Sequence, residues 1–292
     1  MKRPHINLAK LGAAVAAGLN NATEPLRAMP IVLKTRREIE AMRHAGKVGH
    51  DILQKMREAA KPGVRTLELD ALAEAELHKH NAIGLSKNYP TYKLGEGFPA
   101  GTCISVNEEV VHGIPGGRVL KDGDVVTLDL ALQVNGYCAD TAVTVGIGNV
   151  LPGVQRLLDV TKECLEIAVQ HIKPGKKWSE VARLIQYNAE RNGFSVVREF
   201  VGHGVGRTMH EDPKVPNFVT AEQLRGDFKL RPGMTLAVEP MVVMGRRDVV
   251  LLDDGWTVVT EDRKPAAHFE HTVAVTEQGV DVLTDGRAPY VL

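Results

Sequence analysis

Long apolar runs, paired cysteines and an excess of charge of one sign are all missing from this 292-residue sequence. No stretch approaches the roughly 18 apolar residues that a bilayer-spanning helix needs, so a membrane partner is not expected. The three cysteines, Cys103, Cys138 and Cys164, show no CxxC spacing. That excludes a disulfide framework or zinc knuckle and reads as reduced thiols in a cytoplasmic chain. Lys+Arg and Asp+Glu are 36 each. No net field draws the chain toward nucleic acid or an anionic surface. No Pro/Gly/Ser-rich linker divides it either, so one folded domain is expected. Against these absences, 43% hydrophobic and 25% charged residues are ordinary for a globular protein.

The first 30 or so residues read as a mobile extension, with folding expected from about residue 31. Lys2 and Arg3 ahead of the small-residue run Leu11 to Leu19 imitate a secretory signal. Lys10 interrupts that run, and alanine and glycine dominate it. The spacing of Leu8, Leu11, Val15 and Leu19 could form a short docking helix. Thr35-Arg36-Arg37-Glu38 is a capping-box pattern that predicts a helix start. Ile39, Met42, Ala45, Gly49, Ile52, Leu53 and Met56 follow at helical spacing, and Lys61-Pro62-Gly63 stops them. Thr66 is placed as the cap of a second helix. Further helices are expected at about Val154–Ile172 and Ser179–Arg191. Strands are expected at Val125–Leu132, Thr235–Val243, Thr257–Val259 and Glu270–Thr276.

Helix, Lys-Pro-Gly, helix, strands thus occurs twice, the two Lys-Pro-Gly turns lying 112 residues apart. Glu68 and Leu72 match Glu180 and Leu184 at that offset. Leu120-Lys121-Asp122-Gly123 leading to Asp129 resembles Leu230-Arg231-Pro232-Gly233 leading to Glu239. Chance competes with duplication here, because Lys-Pro-Gly is a common turn. A duplicated unit would set matching carboxylates about a pseudo-twofold axis.

Five residues are polar where strand context is apolar: Asp129, Asp140, Glu239, Glu270 and, between glycines, His203. Carboxylates are rarely buried without a partner. Each alone could be a paired structural residue against Arg or Lys. Four with a glycine-flanked histidine suit two divalent cations, and an oxygen-rich, thiolate-free set accepts Mn, Fe, Co or Zn without choosing among them. Such a pair can deprotonate a bridging water and polarise a carbonyl, which is hydrolytic chemistry. His112 and His210 sit in glycine- and proline-rich loops and are candidates to face a cleft. His268 and His271, flanking Glu270, are expected on the opposite face of their strand.

As an ordered set the motifs are specific. They are Asn107-Glu108-Glu109-Val110-Val111-His112-Gly113-Ile114-Pro115, then Asp129, Asp140, Gly202-His203-Gly204-Val205-Gly206 with His210, Val238-Glu239-Pro240-Met241, and Phe269-Glu270-His271-Thr272. From about Ile31 to Leu283 the chain resembles the type I methionine aminopeptidases. The resemblance implies the pita-bread fold, an α+β architecture of two pseudo-twofold-related α/β halves with a central curved antiparallel sheet and helices outside. It implies removal of the initiator methionine from nascent proteins with a small second residue, through a two-metal-activated hydroxide. Asp129, Asp140, His203, Glu239 and Glu270 match the metal ligands. His112 and His210 match residues that contact substrate and assist the transition state, Glu239 is the carboxylate expected to handle the water's proton, and Phe98, Cys103, Met209 and Trp256 are expected to line the methionine pocket. The segment Ser86–Gly97 looks longer than usual for the family, Val111 stands where cysteine is common, and Met209 where an aromatic is common.

The implied partners are nascent polypeptide N-termini, in transient proximity to the ribosome, acted on by a monomeric cytoplasmic enzyme. Two competing readings stay open at this stage. One is an Xaa-Pro peptidase or dipeptidase on the same scaffold, which usually carries a sizeable extra N-terminal domain. The other is a catalytically dead binding relative, which would lack metal ligands.

Overall fold

A capping box opens the first helix: Glu38 N donates to Thr35 Oγ1 at 3.3 Å, and Glu38 Oε2 accepts from Thr35 N at 2.9 Å. The computed structural model describes residues 30–90 and 97–289, so the extension with its Leu8–Leu19 helix, and residues 91–96, lie outside the described residues. Helix α1 is Arg36–Ala59 and α2 is Thr66–Lys79. Thr66 does not cap α2 as expected; it is the first helical residue. Its hydroxyl instead exchanges hydrogen bonds with the Gly116 backbone, donating to the carbonyl at 3.1 Å and accepting from the N–H at 2.9 Å. The cap comes from Glu68, whose carboxylate accepts from Arg65 N at 2.7 Å. Helices α3 (Pro152–His171), α4 (Trp178–Arg191) and the short α5 (Ala221–Arg225) follow.

The main sheet has nine antiparallel strands. Its central path runs β1 (Ile83–Gly84), β4 (Val125–Val134), β5 (Tyr137–Gly146), β14 (Glu270–Val275), β9 (Thr235–Val238), β7 (Gly202–Gly204), β8 (Glu211–Val215). β2 (Cys103–Val106) joins at β4, and β15 (Val280–Val282) at β14. The expected strand Thr235–Val243 is broken at Pro240, which has no N–H for a ladder. Beyond it, β10 (Met241–Val243) leaves for a three-stranded sheet between β6 (Ser195–Val196) and β13 (Ala266–His268). A third sheet joins β3 (Glu109–Val111), β12 (Val258–Thr260) and β11 (Val249–Leu251).

Alternation along the strands decides what faces the helices. Leu128, Leu130 and Leu132 of β4 are fully buried with Ala45, Ile52 and Leu69 of α1 and α2. Leu236 and Val238 of β9 and Val273 and Val275 of β14 are buried with Leu157, Trp178 and Ile185 of α3 and α4. Each such aliphatic side chain contributes roughly 1.5–3 kcal/mol by leaving water. The intervening residues on these strands, Asp129 and Ala237 among them, turn to the other face.

The two halves repeat their hydrogen bonds. Gly63 N donates to Leu120 O and Gly175 N to Leu230 O, both at 2.8 Å. Thr66 N donates to Arg118 O at 3.0 Å, and Trp178 N to Phe228 O at 2.9 Å. Glu180 accepts from Lys177 N as Glu68 does from Arg65 N.

Candidate active site

Four strand positions and the residue just beyond β9 put five polar side chains on one sheet face. In the β4–β5 ladder, Asp129 pairs with Ala142 and Asp140 with Ala131, so the two aspartates are diagonal neighbours on the same face. Glu270 of β14 also pairs with Ala142, from the other side. His203 of β7 and Thr272 of β14 both pair with Ala237, and Glu239 follows two residues on. Small alanines at the two crossing points, Ala142 and Ala237, leave space above them for the longer side chains. The glycines around His203 are required by close approach. A Cβ on Gly202 would lie 2.3 Å from Ala237 O, and one on Gly204 2.3 Å from Asp212 O. Asn217, buried, donates from Nδ2 to Glu239 O at 2.9 Å and fixes the backbone beyond β9.

Asp140, His203 and Glu270 each offer a ligand atom, all within 4.8 Å of one another. His203 Nε2 lies 3.8 Å from Asp140 Oδ2 and 3.6 Å from Glu239 Oε1. His203 Nδ1 is 2.9 Å from Gly204 O. A carbonyl only accepts, so Nδ1 carries the hydrogen and the Nε2 lone pair faces the carboxylates, the orientation a metal-binding imidazole needs.

The electrostatics call for positive charge. Burial first, and then the negative charge of neighbouring carboxylates, pushes Asp129, Glu239 and Glu270 well above the usual carboxylate range. Burial raises Asp140 too, with His203 opposing. Among the described residues no Lys or Arg forms an ion pair with these four carboxylates; the basic groups beside them are the imidazoles of His203, near Asp140 and Glu239, and of His268, near Glu270. Glu270 Oε1 is buried without a hydrogen-bond partner. At about 4 Å, two like charges repel by roughly 4 kcal/mol at a near-surface dielectric. This donor set fits a divalent cation.

His112 and His210 border the cluster. His112 has a left-handed backbone, φ 58°, held by Gly113, whose N–H donates to Ser105 Oγ at 3.0 Å and whose carbonyl accepts from Ile104 N at 2.9 Å. Its ring meets Phe200 edge-on at 5.4 Å, and burial pulls its pKa down to about 4. His210 lies 4.2 Å from His203, ring centre to ring centre. The protein packed around the ring, and then His203 and His112, lower its pKa, one side of the ring being open to solvent. Both imidazoles are therefore neutral near pH 7.

Phe98, Cys103 and Trp256 share one apolar cluster with Tyr89 and Ile114, and Phe98 meets Trp256 edge-on at 5.2 Å. Cys103 is paired across the ladder with Asp129, which places this cluster beside the carboxylates. Met209, half-buried next to His210, stands outside it.

His268 does not take the opposite face. Its Nε2 is 3.8 Å from Glu270 Oε2, and both ring nitrogens are buried without hydrogen-bond partners. Residues two apart share a face, so parity along 268–270 was the signal. His271 does point away, with Nδ1 2.8 Å from Thr284 Oγ1. Sequence reasoning also missed Tyr89, whose hydroxyl reaches His210.

A sequence profile of Metallopeptidase family M24 matches residues 40–277. Methionine aminopeptidase 1 of Bacillus subtilis (strain 168) is 47% identical over 254 residues, covering 87% of this chain and 99% of the relative. Methionine aminopeptidase of Escherichia coli (strain K12) is 39% identical over 258 residues, 88% and 94% of the two chains. The crystal structure of methionine aminopeptidase from Thermotoga maritima superposes with a TM-score of 0.82 at 42% identity, covering 87% of this chain and all but 1% of that one. Prolidase from Pyrococcus furiosus, at 21% identity and TM-score 0.68, shares the pita-bread fold and is longer, this chain covering 66% of it. With its α+β sheet, its acidic cluster and this level of identity, the chain belongs to the methionine aminopeptidases of metallopeptidase family M24.

Proposed function

We propose that this enzyme removes the N-terminal methionine from nascent chains whose second residue is small. The observation that carries this reading is the convergence of Asp129, Asp140, His203, Glu239 and Glu270 on one sheet face, beside an apolar pocket wall. Together the five would hold two divalent cations, of Co, Mn, Fe or Zn, which supply Lewis acidity and lower the pKa of water when bound. Glu239 takes the proton of the attacking water. The water oxygen bonds to the methionine carbonyl carbon, the C–N bond breaks, and Glu239 returns the proton to the departing amine. His112 and His210, as neutral imidazoles, each donate one N–H toward the carbonyl oxygen as negative charge develops on it. Phe98, Cys103 and Trp256, with Met209 at the edge, receive the methionine side chain, for which thioether–aromatic contact is favourable.

The repeated hydrogen bonds support reading residues 31–292 as one domain built by internal duplication, with 1–30 as an extension. Among the described residues no helix is long and apolar enough to cross a membrane. A monomer acting in the cytoplasm, close to where nascent chains emerge, agrees with that reading. The test is cleavage of Met-Ala-Ser and Met-Gly peptides by purified, metal-supplied protein, with an Xaa-Pro peptide as the contrast. Cleavage of the methionyl peptides supports the proposal, and cleavage of the Xaa-Pro peptide alone overturns it.

A further inference from the structure

Tyr89 precedes a proline in a segment without helical or strand periodicity, yet its place is firmly set. Its N–H donates to Ser86 O at 3.0 Å, and its carbonyl accepts from Phe98 N at 2.9 Å. Asn88 N donates to Phe98 O at 2.8 Å, and Pro90 bridges Gly97. The two limbs approach so closely that a Cβ on Gly97 would lie 2.5 Å from Asn88 Cα. Phe98 is buried against Trp256, so this clamp stands on the pocket wall itself. From that base the Tyr89 hydroxyl reaches to 3.0 Å from His210 Nδ1, with the rings edge to face at 5.4 Å and 61°.

Which nitrogen of a neutral imidazole carries the hydrogen is set by the bond the other one makes. Burial pushes the Tyr89 phenol up, so it keeps its proton at neutral pH and has an O–H to give. With Nδ1 occupied by Tyr89, only Nε2 is left for a substrate. An imidazole with its hydrogen on Nδ1 would turn a bare lone pair toward the carbonyl oxygen, which repels it. We infer that Tyr89 is a positioning residue whose hydroxyl donates to His210 Nδ1 and so fixes the hydrogen of His210 on Nε2, aimed at the substrate carbonyl. This rests on the role proposed above for His210. It also ties the pocket to the chemistry: Phe98 holds the tyrosine that orients the imidazole, so methionine seated against Phe98 steadies the donor.

The tautomer can be read directly on the full chain, loaded with diamagnetic zinc, from the histidine ring nitrogen signals in long-range ¹H–¹⁵N spectra. The wild type is expected to show His210 with the hydrogen on Nε2. Tyr89→Phe keeps the ring and its packing, and should move His210 to a mixture of both tautomers. On a Met-Ala-Ser peptide the same variant should lose about 5–10-fold in kcat with KM within about twofold, as for a contact made mainly in the transition state. A wild-type His210 with its hydrogen on Nδ1, or a Tyr89→Phe protein with unchanged tautomer and kcat, overturns the inference. Failure of the methionyl-peptide reading would appear separately, as a wild-type protein that leaves the peptide intact whatever the tautomer.

Discussion

Asp129 and Asp140 sit diagonally across the β4–β5 ladder, one paired with Ala142 and the other with Ala131, so both carboxylates leave the same face of the sheet. That offset places two negative groups together with no lysine or arginine paired to either among the described residues. Substituting Asp129→Asn should therefore remove metal binding while easing repulsion in the metal-free protein. The expected result is loss of at least one bound metal by elemental analysis, with a thermal midpoint in chelator equal to or above that of the wild type. A lower midpoint in chelator would show that Asp129 is a structural carboxylate.

The same crowding gives the metal-free chain a definite pH dependence. Burial holds the folded-state values of the four carboxylates above their ordinary 3.8 for Asp and 4.5 for Glu, and repulsion from neighbouring carboxylates adds to it at Asp129, Glu239 and Glu270. The folded chain then binds more protons than the unfolded one. Its stability from these groups is fully present below the ordinary values and is lost as pH rises through the raised ones. In chelator the midpoint should fall from about pH 5 to about pH 8, and a divalent cation should restore most at the upper end. A flat profile in chelator would contradict this.

His203 and His210 touch each other but are expected to fail differently. His203→Ala removes the one nitrogen ligand of the proposed set and should lower both metal content and turnover by orders of magnitude. His210→Ala should keep the metal and lose roughly 10²-fold in kcat. Equal metal loss in the two variants would refute the division of roles.

Thr272 bridges β14 and β5 through one hydroxyl, accepting from Asp140 N at 2.9 Å and donating to Asp140 O at 2.8 Å. Thr272→Val keeps the shape and leaves a buried backbone pair unsatisfied, a cost of about 1–3 kcal/mol. Asp140 loses its support, so metal affinity should fall about 10–100-fold, as calorimetric titration would show. Unchanged affinity would mean that the ladder alone positions Asp140.

The five polar positions were legible because a carboxylate alternating with leucines or valines violates the apolar pattern of a buried strand. The register that joins them was not, since Asp140 and Glu270 meet across 130 residues of chain. The capping box at Thr35 is local and was readable. At Thr66 the same local rule failed, because Gly116 competes for the hydroxyl from 50 residues away. His268 is two positions from Glu270, with only Phe269 between them, so it shares the face of Glu270 where the sequence reading placed it on the other. Tyr89 gives no periodic signal, and its partner His210 is 121 residues distant.

The extension carries none of the proposed ligands, pocket residues or positioning residues, all of which lie at Tyr89 or later. Deleting residues 1–30 should leave turnover of a Met-Ala-Ser peptide within about twofold. A large fall with metal still bound would show that the extension closes over the cleft.

The most direct test is hydrolysis of a Met-Ala-Ser peptide by the full chain, first stripped by chelator and then titrated with Mn or Co while bound metal is counted. The expected result is no cleavage when stripped, release of free methionine on adding metal, and two ions bound at saturation through the five clustered side chains. Protein that binds its metal and leaves the peptide whole, or that cleaves it equally well when stripped, would contradict the account.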